Sequence, residues 1–368
     1  MPINLTAAAD DDGRRLDRIL RKALPEMPLS AIHRLLRKGG VLVDGENAAI
    51  DHRVRAGQTI TINLKNISPR REGAKGFAEF ANHARNVAPS RLGERKIQNN
   101  VIPDILLFEG AGLLFLNKPA GLQVHGRGSL EDMVRAYLEP KLPPSLSFRP
   151  GPLHRLDRPS SGVIAFSTSL EGARFFSAMM RKRMIKKQYL ALVNGVIEKA
   201  EVWEDELIRD ERQKKTFRSG LVMYDGAIHG ISKPAEGKTA LTRVSPLAGD
   251  GERTLVLAEI ETGRTHQIRA QAAGRGHPLL GDRKYGGCVL KNKAIKDDLI
   301  NDGDLIFDGE FLLHAWRMDF PEKTGGDLNY DNDKCLPQRI EAPLPENFLD
   351  KIRNFFGEGI ITKRLSHL

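Results

Sequence analysis

The sequence predicts an α+β protein, with a small α/β module at the front and a larger domain behind it built on a mixed, mainly antiparallel sheet. Three observations carry that expectation. From Val101 onward, strand-length apolar runs outnumber amphipathic helical stretches, and irregular returns separate them. The 368 residues exceed a typical single domain, so two domains are the starting expectation. Residues 66–100, exemplified by SPRREGAK and ARNVAPSRLGERKIQNN, are polar and basic and read as a linker, with a short helix around Phe77 to Ala84. The expected boundaries are therefore 13–65, a linker over 66–100, a main domain over 101–345 and a helical tail over 346–368.

The front module comes first. RRLDRILRKAL places Leu16, Ile19, Leu20 and Leu24 at near-helical spacing, with cations between them. Pro25 and Pro28 break that pattern. LSAIHRLLRKG predicts a second helix, with Ser30 as a cap and Gly39-Gly40 as its end. Ile32, Leu35 and Leu36 would face the core, which leaves Arg34, Arg37 and Lys38 to solvent. VLVDG and VRAGQTITINL predict short strands around an Asp44-Gly45 turn. A solvated basic surface accounts for these charges, and so does RNA binding, in which phosphates supply the affinity. From Arg14 to about Leu64 the stretch resembles the small RNA-binding module first described in a ribosomal protein. The resemblance rests on Arg15, Leu16, Asp17, the Ser30-to-Lys38 helix, Val41, Val43, Asp44, Gly45 and the Arg55-Ala56-Gly57-Gln58 turn. Such a module binds RNA and performs no chemistry.

The larger domain follows. LLFLNKP reads as a buried strand entering a turn. SLEDMVRAYL is a short helix with Ser129 as cap and Asp132 in its first turn. GVIAFS is a strand, and SLEGARFFSAMMRKR is an amphipathic helix whose Phe175, Phe176, Met179 and Met180 belong to the core. QYLALVNGVI, ALTRVSPL and RTLVLAEIET add strands; THQIRAQAAGRG begins a helix and GEFLLHAWRMDF is another strand. KIRNFFGEGIITKRL has helical apolar spacing and reads as packing structure.

Composition narrows the function classes. No segment is long and apolar enough to cross a bilayer, and MPINLTAAADDDG has neither the basic head nor the apolar run of a signal peptide. Cys288 and Cys335 make neither a disulfide framework nor a metal cluster, so a reducing, cytoplasmic setting is expected. The net charge of +10 draws anionic partners. No dinucleotide or phosphate-loop fingerprint, no His-Glu-x-x-His and no paired Cys-x-x-Cys occurs, and His125, His154, His266, His277 and His314 are widely spaced. A nucleotide cofactor or a resident metal is not expected.

The chemistry concentrates in GPLHRLDRPSSG at 151–162. Asp157 can pair with Arg155 or Arg158 as a structural turn residue. Alternatively it is a carboxylate held ionised at a cleft, with neighbouring arginines attracting phosphate. An ionised Asp serves as a nucleophile or a base, and its spacing alone does not choose. HRLDRPSSG, the downstream TGRTHQIRAQAAGRGHPLLGDRKYG at 262–286, and the flanking NKPAGLQVHG and KKQYLALVNG together resemble the large-ribosomal-RNA branch of the pseudouridine synthases. The resemblance covers roughly residues 101–345, preceded by an RNA-binding module in the expected order.

That resemblance implies an isomerase that converts uridine in RNA to pseudouridine, most readily in 23S ribosomal RNA, with no cofactor and no catalytic metal. Asp157 matches the nucleophile, Tyr189 the active-site tyrosine that stacks on the flipped uracil, and Arg269 the partner that keeps Asp157 charged and oriented. Without the resemblance, Tyr189 reads as a half-buried strand residue and Arg269 as a structural or phosphate-binding arginine. Arg155, Arg158 and Arg264 are RNA-contact candidates, and Leu279 or Leu280 would line the uracil pocket. A monomer with structured RNA as its partner, and no membrane, is expected. Two features depart from the branch pattern. Ala270-Gln271 stands where a Val-His pair is commoner, and the charged segment at 288–310 is longer than a simple hairpin needs. The other readings are a pseudouridine synthase acting on transfer RNA and a noncatalytic RNA-binding ribosome-assembly protein. An unrelated carboxylate hydrolase fits an isolated Asp but not the set of motifs.

Overall fold

The computed structural model describes residues 2–24, 27–63, 101–142, 145–219, 222–224, 227–229, 237–287, 311–322 and 336–360. The linker over 66–100, the charged 288–310 segment, Cys288, Cys335 and residues 361–368 lie outside the described residues. The chain divides into two compact units. One comprises the N-terminal described residues with 133–151 and 167–174; the other comprises Val101–Asp132, Pro152–Phe166 and the residues from Phe175 onward.

In the first unit, β1 (Ile3–Thr6), β2 (Arg14–Arg15), α1 (Leu16–Ala23), α2 (Leu29–Arg37), β3 (Val41–Val43), β4 (Glu46–Asn47), β5 (Arg53–Val54) and β6 (Thr59–Ile62) follow in order. Four strands form a sheet in the order β1-β6-β3-β4, and β2 pairs with β5. The helical spacing of the sequence becomes a shared core of Leu16, Ile19, Leu20, Ile32, Leu35 and Leu36 with Val41, Val43, Ile60 and Ile62. The Asp44-Gly45 turn joins β3 to β4, both residues having positive φ as a tight hairpin requires. Ser30 is not the cap of α2. The helix begins at Leu29 with Pro28 as its N-cap and no side-chain cap; the residue ahead of the helix is extended, a conformation that proline's fixed φ allows.

Strand β1 and the turn after it lie ahead of the expected start of this unit at residue 13. Asp11 explains their place. Its buried carboxylate accepts the backbone N–H groups of Ala8, Leu146 and Ser147 at 2.9, 3.0 and 2.9 Å, and the hydroxyls of Ser145 and Ser147. Burial by itself would raise its pKa, but these donors outweigh burial and hold it below the usual carboxylate range.

The second unit is organised by one large sheet. In chain order from Val101 the elements are α3 (Val101–Asp104), β7 (Leu106–Gly110), β8 (Leu113–Lys118), α4 (Leu130–Leu138), β9 (Gly151–Pro152), β10 (Ser161–Ser167) and α5 (Leu170–Arg181), with most of α4 and the start of α5 falling in the first unit. Next come β11 (Lys186–Asn194), β12 (Glu201–Asp210), β13 (Lys215–Arg218), β14 (Val222–Tyr224), β15 (Ala227–His229), β16 (Lys238–Gly249) and β17 (Arg253–Ile260). The series ends with α6 (Gln267–Ala273), β18 (Leu313–Asp319), β19 (Arg339–Glu341) and α7 (Glu346–Phe356). The strand order is β13-β12-β16-β17-β11-β18-β10-β8-β7, with β19 beside β18 and β9 beside β10. β14 and β15 form a separate hairpin. β11 runs antiparallel to both β17 and β18, and β16 antiparallel to both β12 and β17, whereas β10 runs parallel to β18, so the sheet is mixed.

β11 sits in the middle and is buried on both faces, which is why QYLALVNGVI reads as a continuous apolar run. Leu190 and Leu192 pack against Leu255, Leu280, Trp316 and, from α7, Phe348 and Ile352. Elsewhere Leu113, Phe115, Val163 and Ala165 pack against Phe175, Phe176 and Met179 of α5. Strands β12 and β13 have no clear signature in the sequence. EVWEDELIRD alternates Trp203, Asp205 and Leu207 inward, and a carboxylate on the inward phase hides the period.

Candidate active site

Asp157 lies in the loop that feeds β10, and the pairing of β10 with β18 sets where that loop stands. Ser161 is level with His314, and Gly162 with Ala315. Gly162 has φ 108°, and a Cβ there would come within 2.1 Å of the Ala315 carbonyl oxygen. No other residue fits, so the glycine that closes HRLDRPSSG allows the two backbones to approach. The turn is closed by the Ser160 N–H donating to the Asp157 carbonyl at 3.1 Å. A second strap comes from the end of β8. The fully buried Lys118 ammonium donates to the Pro119 and Arg158 carbonyls at 2.8 and 3.0 Å. The Gly121 N–H donates to the Arg158 carbonyl, and Arg158 Nε donates to the Gly121 carbonyl, each at 2.9 Å. Burial pushes Lys118 down to about 8, while nearby Asp157 opposes the fall.

Arg269 reaches this loop from α6. Its Nη1 donates to Asp157 Oδ2 at 2.8 Å, while Nε and Nη2 donate to the two oxygens of Asp282 at 2.7 and 2.9 Å. One guanidinium therefore clamps two carboxylates, a geometry that a lysine ammonium cannot reproduce. Asp282 is 1% exposed, Arg269 7% and Asp157 24%, so the anchor is dry and the held carboxylate faces an opening. Burial would discharge Arg269, but Asp282 and Asp157 outweigh it and raise its pKa. Phe311 and Tyr285 flank the guanidinium, with ring centres 4.1 and 4.9 Å from its central carbon.

A second glycine belongs to this anchor. A Cβ on Gly287 would meet the Leu279 carbonyl oxygen at 2.1 Å and the Asp282 nitrogen at 2.7 Å. The tight loop that carries Asp282 and Tyr285 closes only with glycine there.

Tyr189 is on β11, level with Ala258 of β17 and Ala315 of β18. It is buried, and burial, reinforced by the charge of Asp157, pushes its phenol well above the ordinary value. The hydroxyl therefore keeps its proton at neutral pH. Leu279 forms a bridge with Val193, which shares the Tyr189 face of β11 by strand alternation. Leu280 belongs to the apolar cluster containing Leu190 and Leu192 on the other face.

The structure thus brings Asp157, Arg269 and Tyr189 together. Arg155 is exposed two residues before Asp157. Arg158 is exposed but spends one nitrogen on the Gly121 carbonyl, and Arg264 spends Nε on the Thr239 carbonyl at 3.0 Å. Arg34, Arg37 and Lys38 lie in the other unit, with Arg37 and Lys38 exposed and Arg34 half-buried. Among the described residues, the five widely spaced histidines gather at no common site. His154 accepts the Ala165 N–H at 3.0 Å, His314 meets Ser161 Oγ and the Ala342 carbonyl, and His125 meets Glu131.

Lys118, His266, Asp282 and Tyr285 sit inside the sequence motifs, yet spacing gives them no roles. Polar residues inside NKP, THQ and GDRKYG are the available signal. The Ala270-Gln271 departure has a packing explanation. The fully buried Gln271 amide donates to the Trp203 carbonyl at 2.9 Å and Asp205 at 2.8 Å, and its oxygen accepts the Thr242 hydroxyl at 2.6 Å. It locks α6 to β12 and β16.

Comparison with known proteins adds to this geometry. The family described as RNA pseudouridylate synthase matches residues 112–274. Ribosomal large subunit pseudouridine synthase C of Escherichia coli (strain K12) is 30% identical over 351 residues, covering 94% of this chain and 95% of that protein. The protein of the same name from Pasteurella multocida is 31% identical, covering 92% and 90%. Among solved structures, human RNA pseudouridylate synthase domain containing 4 aligns with a TM-score of 0.53 at 20% identity, over 71% of this chain and 96% of that one, a likeness of fold.

Proposed function

This chain belongs to the large-subunit ribosomal RNA pseudouridine synthase family, and we propose that it isomerises uridine to pseudouridine at defined positions of 23S ribosomal RNA, with Asp157 as the nucleophile. It is an RNA-modifying isomerase. The observation that carries the residue assignment is the 2.8 Å pair between Asp157 and an Arg269 whose remaining nitrogens are locked on Asp282. Such a clamp keeps the carboxylate charged and aimed, while leaving one oxygen toward the opening.

The net chemistry is balanced within the nucleotide. The bond between ribose C1′ and uracil N1 breaks, a bond between C1′ and uracil C5 forms, and the proton leaving C5 is matched by one gained at N1. Asp157 engages the ribose, either at C1′ or by removing a sugar proton. Tyr189, protonated and buried, offers its ring to the flipped uracil and its hydroxyl to proton transfer after the new bond has formed. Leu279, on the same face, lines the base pocket; Leu280 serves the core. Flipping the base costs a few kcal/mol, and phosphate contacts from Arg155, Arg158 and Arg264 offset it. Lys284, Lys215 and Arg209 lie near enough to Arg269 or His266 to interact with their charge, so the rim beside Asp157 is cationic.

Residues 13–65 serve as the RNA-binding module, with Arg34, Arg37 and Lys38 against phosphate. A monomeric protein working in the cytoplasm fits this reading. No described helix is long and apolar enough to cross a membrane.

The test is position-resolved pseudouridine mapping of total RNA from cells with and without the gene. Loss at particular 23S positions, restored by wild type and not by Asp157→Asn, is expected. Loss in transfer RNA alone would overturn the substrate, and restoration by Asp157→Asn would overturn the nucleophile.

A further inference from the structure

His266 stands immediately before α6 with φ 55° and ψ 26°, in the left-handed region. Non-glycine residues are uncommon there, although histidine is among those that adopt it more readily. The conformation aims the imidazole between two groups. Nδ1 is 2.9 Å from the Tyr285 hydroxyl oxygen, and Nε2 is 3.7 Å from Asp157 Oδ1. The two rings meet edge to face.

The tautomer follows from hydrogen-bond bookkeeping. The Tyr285 oxygen accepts the Thr216 backbone N–H at 2.8 Å. It has one proton to give; the Thr216 hydroxyl lies beside it as well, and we assign the proton to His266 Nδ1, 2.9 Å away. The imidazole proton is then on Nε2, facing Asp157. The two oxygens of Asp157 are thereby made unequal. Oδ2 takes the Arg269 hydrogen bond, while Oδ1 faces a neutral N–H at a distance too long for a hydrogen bond.

We propose that His266 is a positioning residue for the nucleophile, its Nε2–H, set by the Thr216–Tyr285 relay, attracting Oδ1 electrostatically across 3.7 Å and so holding that oxygen, unbonded, as the reacting one. This rests on Asp157 being the nucleophile. A neutral ring suits this role, because an imidazolium would bond Oδ1 directly and tie up the lone pair that must react. Burial pushes His266 down to about 4; Asp157 pulls the other way, and Arg269, Arg209 and Lys284 add to the fall. The groups facing the ring are these four and the Tyr285 hydroxyl.

The experiment follows release of tritium from uracil C5 in 23S transcripts under single-turnover conditions, using the full chain, from about pH 4 to about pH 8.5, so that the wild-type acid limb falls inside the range. The variants are His266→Asn, which tolerates the left-handed backbone, Tyr285→Phe, their double variant and Asp157→Asn. His266→Asn is expected to slow the step about 10- to 100-fold with RNA affinity within about twofold. Tyr285→Phe, which retains the ring, should slow it less and move the acid limb to higher pH, since the donor to Nδ1 is gone. The double variant should be no slower than His266→Asn within about threefold, because both act on one device. Wild-type rates for His266→Asn at every pH, or multiplicative losses in the double variant, sink the proposal even when Asp157→Asn is inactive. An unaltered acid limb in Tyr285→Phe does the same, and this arm stands should His266→Asn fail to fold. Activity in Asp157→Asn would instead remove the nucleophile assignment beneath it.

Discussion

Replacing Asp282 by Asn tests the anchor on which the site depends. The Asp282 side chain is 1% exposed, and Arg269 gives it two hydrogen bonds, at 2.7 and 2.9 Å. Removing one partner of a buried pair costs about 3–5 kcal/mol. Asn retains one acceptor oxygen, and Asp157 still balances part of the Arg269 charge, so the lower end applies, about 3 kcal/mol. For a domain of this size each kcal/mol moves Tm by about 2–4 °C, giving a fall of about 6–12 °C. The catalytic consequence comes through geometry. An Arg269 released on the Asp282 side shifts Asp157, and a displacement of about 1 Å costs about 100-fold in rate. Thermal melts and single-turnover tritium release on the same preparation read both effects. A Tm within about 2 °C of wild type, with an unchanged rate, refutes the anchor. A lowered Tm with an unchanged rate per folded molecule refutes the link between the anchor and Asp157, and leaves the stability account standing.

Other outcomes follow from the same structure. Burial lowers the pKa of His154 to about 3, and of His266 and His314 to about 4, from 6.5. Between pH 6.5 and about 4 the unfolded chain binds protons that the folded chain refuses. Stability should therefore fall as pH falls, by up to about 1.4 kcal/mol per pH unit for each ring. Urea unfolding at neutral pH and at about pH 5 checks this, and equal stabilities would contradict it. Gly162→Ala forces a Cβ against the Ala315 carbonyl oxygen and should cost at least about 2 kcal/mol, visible as loss of folded protein or a lowered melt. Replacing Arg34, Arg37 and Lys38 by Ala should weaken RNA binding and reduce the slope of log affinity against log salt by about 2; an unchanged slope removes that helix from the phosphate contacts.

Local signals carry much of the fold. Period-3.6 apolar spacing announces α1, α2 and α5, and unbroken apolar runs announce β8, β10 and β11, since burying such surface against neighbours is what those patterns do. β12 is hidden because its inward Asp205 is neutralised by Arg218 at 2.6 Å and Arg275 at 2.8 Å, partners drawn from β13 and the end of α6. A carboxylate reads as surface until its distant cations are known. The N-terminal strand is hidden for a related reason: Asp11 is tied to Leu146 and Ser147, more than a hundred residues away in sequence.

The site divides along the same line. In the sequence, the family resemblance carried by the motifs pointed to Asp157, Tyr189 and Arg269, and the net charge of +10 pointed to an anionic partner. Tertiary structure alone decided that Arg269 holds two carboxylates, that Asp282 is its dry anchor, that Leu279 and Leu280 face opposite ways and that His266 addresses the free oxygen of Asp157. Those facts depend on the pairing of β10 with β18 and on the entry of α6, each joining residues more than a hundred positions apart. Sequence spacing encodes which face of its own element a residue occupies. It does not encode which distant carboxylate a five-donor guanidinium will meet, because that depends on where the sheet brings the elements.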